Sequence, residues 1–144
     1  MNIATKYHGE VDIHEADIIR FEQGVPGFFN EKQFVLLPLD DTPFVILQSV
    51  QTPELGFVMI EPFSYFPTYE IELDDATCAQ LSLKAEKDVA VYVILTVAEP
   101  FDDTTANLQA PVVINVCERI GKQVILLNSP YKTKHRLFPE KVAK

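Results

Sequence analysis

Phe21-Glu22-Gln23-Gly24-Val25-Pro26-Gly27-Phe28 sets two glycines and a proline between aromatic residues, and this spacing dictates a specific turn. Gly24 and Gly27 can take the positive φ that other residues resist, Pro26 fixes its own φ, and Val25 is pushed toward extended geometry. Phe21 and Phe28 are expected to pin the two ends of this rigid corner onto a core. The corner stands between an alternating segment at Ile18–Phe21 and a continuous apolar run at Phe34–Leu37. Strands punctuated by turns are the pattern of the rest of the chain.

Alternation at Val11–His14 and Tyr69–Leu73 predicts strands with one wet face. Continuous apolar runs at Phe34–Leu37, Phe44–Leu47, Phe57–Ile60, Val89–Val97, Val112–Val116 and Val124–Leu127 predict interior strands. Proline or acidic clusters separate them at 38–43, 52–56, 62–67 and 100–104. That spacing predicts an all-β fold, a small closed or partly closed antiparallel β-barrel or sandwich, rather than alternating βαβ units. It leaves room for one or two short helical turns. Asp74 or Asp75 can cap a turn over Ala76–Leu81; Glu118–Gly121 is either a single turn ended by Gly121 or a plain hairpin. In Asn107-Leu108-Gln109-Ala110-Pro111-Val112-Val113-Ile114-Asn115 the proline directly precedes an apolar strand, a position that tolerates it.

A chain of 144 residues fits one domain, 1–144. With 47% hydrophobic and 23% charged residues it has the composition of an ordinary water-soluble globule. The apolar stretch Val89–Ala98 is far short of the roughly 20 residues that span a bilayer, so no membrane association is expected. Met1–Lys6 lacks the basic and apolar parts of a secretory signal, and the expected compartment is the cytoplasm. Charge is unevenly placed. The net charge is −9, yet residues 131–144 hold five basic side chains against Glu140 and carry +4, which leaves −13 on residues 1–130. Such a body repels nucleic acid and favours basic or neutral protein partners. The basic tail is either a solvated, frayed end or a place to touch RNA.

Catalytic signatures are missing. There is no Gly-x-Ser-x-Gly elbow, the three histidines lie near the chain ends, and the five glycines never assemble into a phosphate-cradling loop. No cofactor is therefore expected. Cys78 and Cys117 stand apart from any metal-ligand spacing. His8 and His14 would approach each other across a hairpin at Gly9-Glu10, with Glu10 or Asp12 to complete a metal site; two strand-borne histidines on a polar face are the simpler reading. The pairs Asp40-Asp41, Asp74-Asp75 and Asp102-Asp103 fall in turns or at a cap, where aspartate commonly bonds its own backbone. Acid-base chemistry needs two carboxyls in one cleft with separated pKa values, so the chain is not expected to be an enzyme.

A binding surface remains. Period-two geometry over Tyr69–Asp74 puts Tyr69, Ile71 and Leu73 on one face and Glu70, Glu72 and Asp74 on the other. Three carboxylates in a row attract a basic partner or simply keep a strand solvated. Phe63, Tyr65 and Phe66, in the neighbouring predicted loop, have the composition of an interface anchor; packing under the sheet is the competing role. A second candidate patch is the turn carrying Phe101 and Asp102, where the phenylalanine is either a contact point or folded back as core.

The corner at residues 21–28, including Phe21, Gly24, Pro26, Gly27 and Phe28, and the segment marked by Asn107, Pro111 and Asn115 together resemble the signature regions of the FliW family of bacterial flagellar assembly factors. The resemblance runs from Lys6-Tyr7-His8-Gly9 through Pro53-Glu54-Leu55-Gly56-Phe57 and Gly121-Lys122-Gln123 to Tyr131–Arg136, nearly the whole chain. It implies a protein that binds newly made flagellin and, when flagellin is absent, the RNA-binding translational regulator CsrA. With those partners, the carboxylate row suggests a partner switch in which acidic contacts lower CsrA's affinity for mRNA without direct contact to RNA. An acidic barrel serving another basic protein, or a ligand-binding barrel, would fit the composition alone.

Overall fold

The structure, a computed structural model, describes residues 1–127 and 129–138. In chain order the strands are β1 (Asn2–Ala4), β2 (Glu10–Asp12), β3 (Ile19–Arg20), β4 (Gln33–Pro38), β5 (Val45–Ser49), β6 (Gly56–Ile60), β7 (Val89–Thr96), β8 (Thr105–Ala106), β9 (Val112–Asn115), β10 (Ile120–Gln123) and β11 (His135–Arg136). A single α-helix, α1 (Asp75–Gln80), precedes β7 among the described residues. Neighbouring strands run β7-β6-β5-β4-β3-β10-β9, and β9 pairs back onto β7, closing a seven-stranded barrel. Closure pairs the two terminal strands, β7 and β9, with each other instead of leaving both as open edges. All registered pairings are antiparallel except β3 with β10, which are parallel.

Alternation along each strand sorts side chains between two apolar layers. Ile19, Phe21, Phe34, Leu47, Met59, Val112 and Ile114 fill the lumen, where Phe21 meets the edge of Phe34 at a ring separation of 5.1 Å. The alternate residues Val93, Leu95, Val113, Ile120, Val124 and Leu126 face outward, yet they too are buried, under Tyr69, Leu81 and Leu137. The β1–β2 hairpin covers a third patch around Val35. Double coverage explains why these strands read as continuous apolar runs: neither face is wet.

The corner at residues 21–28 forms as a tight turn. Phe28 N–H donates to the Val25 carbonyl at 2.6 Å, and Gly27 has φ +87°, which with Pro26 before it matches a type II turn. Gly24 is fixed for two reasons: its φ is +68°, and a Cβ there would lie 2.5 Å from the Phe29 carbonyl oxygen. Only one of the expected aromatic pins is buried. Phe21 is fully enclosed, but Phe28 remains 43% exposed and meets the Phe57 ring edge-on at 5.7 Å; buried Val25 anchors that side of the corner instead.

Pro111 stands immediately before β9, as expected. Asn107 Oδ1 accepts from the N–H groups of Gln109 and Ala110, both at 3.1 Å. Asn115 is buried and fully used: its amide donates to the carbonyls of Leu81 and Ser82 while its oxygen accepts from the N–H groups of Cys117 and Glu118. It bolts the segment after α1 to the end of β9. Residues 116–119 form the turn of a β9–β10 hairpin, with Arg119 at φ +57°. Gly121 does not end this turn. It lies in β10, where a Cβ would come within 2.6 Å of the Phe21 ring, so its missing side chain is what lets Phe21 fill the lumen.

Two strand expectations need correction. Tyr69–Asp74 is extended but joins no ladder, and Val124–Leu127 continues beyond β10 without being a regular strand. Val124 and Leu126 do donate to the carbonyls of Pro111 and Gln109, each at 2.8 Å. Pro111 has no N–H to return, so that part of the ladder is one-sided.

Candidate functional site

Alternation along Tyr69–Asp74 survives the loss of the ladder. Tyr69 is buried, Ile71 and Leu73 are half-buried, and Glu70, Glu72 and Asp74 are exposed. Side-chain anchors hold the segment in place of strand pairing. Tyr69 Oη donates to the Leu108 carbonyl at 2.7 Å, the Tyr131 ring stands edge-on to it at 4.6 Å, and Glu70 N–H donates to Tyr131 Oη at 2.9 Å. Burial, and secondarily Tyr131, pushes the Tyr69 phenol well above its ordinary pKa, so it remains a donor. The carboxylate row therefore stands on a fixed backbone.

Asp74 has a second task. It is the N-cap of α1, where Oδ1 accepts from Thr77 N–H at 2.8 Å. Hydrogen bonds from Thr77, through its side chain and then its backbone, lower the Asp74 pKa, and Lys122 adds to the effect. The carboxylate is charged at neutral pH and already partly engaged.

Phe63, Tyr65 and Phe66 divide between the two roles open to them. Phe63, in a 3-10 turn over Pro62–Ser64, is 40% exposed and lies 6.0 Å from the Tyr69 ring. Tyr65 and Phe66 are half-buried against the outer apolar layer, which makes them packing residues with one accessible side. An open pocket of about 570 Å³ lies between Pro43, Ser64 and Tyr65.

Phe101 and Asp102 sit in the 3-10 turn Phe101–Asp103. Phe101 is 41% exposed, with Phe44 and Phe138 on its other sides at 5.7 and 5.6 Å. The exposed Asp102 offers its carbonyl to Arg136 at 3.3 Å, and Asp103 pairs with the same guanidinium at 3.2 Å. The C-terminal segment links the two patches: His135 lies 6.3 Å from Phe66, and Phe138 packs on Phe101. His135 Nε2 accepts from Lys132 N–H at 2.8 Å, and burial, then Lys132, lowers its pKa. Within the basic tail, residues 131–138 are thus tied down through β11 and the buried Leu137; residues 139–144, with Lys141 and Lys144, lie outside the described residues.

The two histidines of the candidate metal site have other partners. His8 Nε2 lies 3.0 Å from the Pro38 carbonyl, while His14 N–H donates to the Asp17 carboxylate. Among the described residues no cluster of three or more His, Cys, Asp or Glu could hold a metal ion, and no helix is long and apolar enough to cross a membrane. Sequence reading missed one group: among the described residues, Phe29, Ile125 and Leu127 are the most exposed large apolar residues after Met1 is set aside, Ile125 at 53%, Phe29 at 66% and Leu127 at 78%. Val124–Leu127 was expected as an interior strand, and no local signal marks where its outer residues pass the end of the barrel.

Known proteins are similar to this chain in architecture and in sequence. Residues 2–137 match the family model described as FliW protein. A protein named flagellar assembly factor FliW from Geobacillus thermodenitrificans (strain NG80-2) is 78% identical over 144 residues, covering 100% of both chains. Its namesake in Bacillus subtilis (strain 168) is 52% identical over 141 residues, 97% of this chain and 99% of that one. A crystal structure of the flagellar assembly factor FliW superposes with a TM-score of 0.96 at 75% identity, covering 99% of this chain and 100% of that one. With a matching family model over nearly its whole length and full-length relatives at this identity, the chain belongs to the FliW family of flagellar assembly factors.

Proposed function

We propose that this flagellar assembly factor acts in the cytoplasm as a non-catalytic docking protein that binds flagellin and, when flagellin is scarce, holds CsrA and lowers its affinity for mRNA. The exposed row Glu70, Glu72 and Asp74 on an anchored backbone is the observation that carries the reading. An RNA-binding regulator must present a basic surface, and a fixed row of carboxylates complements one without the entropic cost of ordering a loop. Two unit charges about 4 Å apart interact by roughly 4 kcal/mol at an effective dielectric near 20. Screening over about 8 Å still lets unpaired carboxylates oppose a nearby phosphate strand. RNA affinity then falls without a shared pocket, and linkage requires RNA to weaken this protein's hold on CsrA by the same factor.

Flagellin supplies the other half of the switch. Its unassembled terminal segments are amphipathic and seek an apolar surface, for which Phe63, Tyr65, Phe66 and Phe101 provide accessible aromatic area beside Asp102. Flagellin bound with an antagonistic footprint releases CsrA as its own level rises.

The double variant Glu70→Lys/Glu72→Lys tests the electrostatic half. Both side chains are exposed, so the fold is retained, and CsrA affinity measured by titration calorimetry is expected to fall about tenfold or more at low salt, with its salt dependence flattened. Unchanged affinity and an unchanged salt slope would remove this face from the CsrA interface.

A further inference from the structure

We propose that the parted seam between β3 and β10 binds an extended segment of a partner polypeptide by strand addition. β3 and β10 register through a single pair, Arg20 with Ile120. Past that point the first chain leaves: Phe21 N–H donates to the Lys32 carbonyl, and residues 24–28 form the tight corner. The second chain runs on. Val124 and Leu126 turn their N–H groups toward residues 111 and 109, so the backbone groups of Ile125 between them face the opposite way, as antiparallel geometry requires. Among the described residues, neither the N–H nor the C=O of Ile125 has a partner.

Side chains around this free edge are those of a docking groove. A pocket of about 280 Å³ is lined by Pro26 and Phe29 from the corner and by Lys122, Gln123 and Ile125 from the second chain. An adjoining pocket of about 230 Å³ sets Glu72 and Asp74 beside Ile125 and Leu127. An unpaired edge flanked by exposed apolar side chains is a template for another strand: backbone bonds provide affinity, and alternate side chains provide choice.

The occupant is an extended segment with apolar residues at alternate positions and a lysine or arginine at the end that meets Glu72 and Asp74. Lys122, the nearby cation, bonds the neutral Gln80 Oε1 and its charge acts on Asp74, so it offsets one carboxylate and this end of the groove keeps a net negative charge from Glu72. A second copy of this chain is the poorer fit, since two bodies of net charge −9 repel. The assignment rests on the seam's geometry and adds a backbone-recognition mode to the acidic face.

The probe is an acetylated, amidated hexapeptide of alternating valine and threonine carrying two terminal lysines, titrated into the ¹⁵N-labelled full-length chain. Saturable amide shifts are expected at Gly24, Phe29, Gln123, Ile125 and Leu127. N-methylating alternate peptide amides removes the donors and should weaken binding by about tenfold. Ile125→Lys should abolish the shifts while the rest of the spectrum shows an unchanged fold. The proposal is overturned by shifts located elsewhere, by equal binding of the N-methylated peptide, by no shift up to about 1 mM peptide, or by sedimentation of the free protein as a dimer that Ile125→Lys dissociates. Because the probe is neither flagellin nor CsrA, its failure leaves the partner reading intact, and failure of the charge-reversal test leaves the seam intact.

Discussion

β4 and β5 are in register over five residue pairs, from Phe34 with Ser49 to Pro38 with Val45, whereas β3 and β10 meet at one. Both are walls of the same barrel. On the first, alternate residues are buried in the lumen and under the β1–β2 hairpin, and the backbone is consumed by its neighbours. On the second, a turn built from Gly24, Pro26 and Gly27 carries one strand away, and the other continues with Ile125 and Leu127 in solvent. Stability belongs to the wall, and the capacity to recruit another chain belongs to the seam. The contrast also explains the economy of the corner, whose rigidity keeps the seam open without exposing the lumen.

The sharpest way to break this comparison is Phe34→Ala. Phe34 is fully buried between Phe21 and Phe57, and loss of a phenylalanine from a packed core costs about 3–5 kcal/mol. Chemical denaturation should report that loss; a value near 1 kcal/mol would mean that the lumen is not the main apolar core. Asn115→Ala should come next, at about 1–3 kcal/mol, because it strips partners from two carbonyls and two N–H groups at a buried junction. Increased amide exchange over 81–83 and 117–118 would locate the damage. Ile125→Lys should be smallest, within about 0.5 kcal/mol of the parent, since half of that side chain is already in water. A large destabilisation would make Ile125 part of the wall after all.

Much of the barrel was legible because its code is local. The runs at Val89–Val97 and Val112–Val116 became β7 and β9 within a residue or so, and Asp74 caps the helix that its position before Ala76 predicts. Residues 21–28 turn where their glycines and proline require. Less legible was anything set by a distant neighbour. Alternation in Tyr69–Asp74 correctly separates a buried face from an exposed one, yet periodicity reports which side chains are covered and says nothing about whether a hydrogen-bonding strand lies alongside. Gly121 reads as a turn residue, but its place is under Phe21, a hundred positions earlier in the chain. Phe28 reads as an anchor and is half in solvent because Val25 occupies the buried place.

The candidate surface divides in the same way. Glu70, Glu72 and Asp74 are recognisable from period-two spacing alone, and so is the aromatic character of Phe63, Tyr65, Phe66 and Phe101. Their fixation by Tyr131, His135 and Phe138 depends on the C-terminal segment folding back over the barrel.

The amino-acid order alone determined the main barrel strands such as β7 and β9, the corner and the acidic stripe, because backbone preference and side-chain period act over a few residues. Only the folded chain decided that β3 would meet β10 in parallel and then part from it, and that Ile125 would outrun the sheet. Those outcomes depend on pairing between segments about a hundred residues apart, where hydrogen-bond partners and buried area are assigned by the closed barrel as a whole.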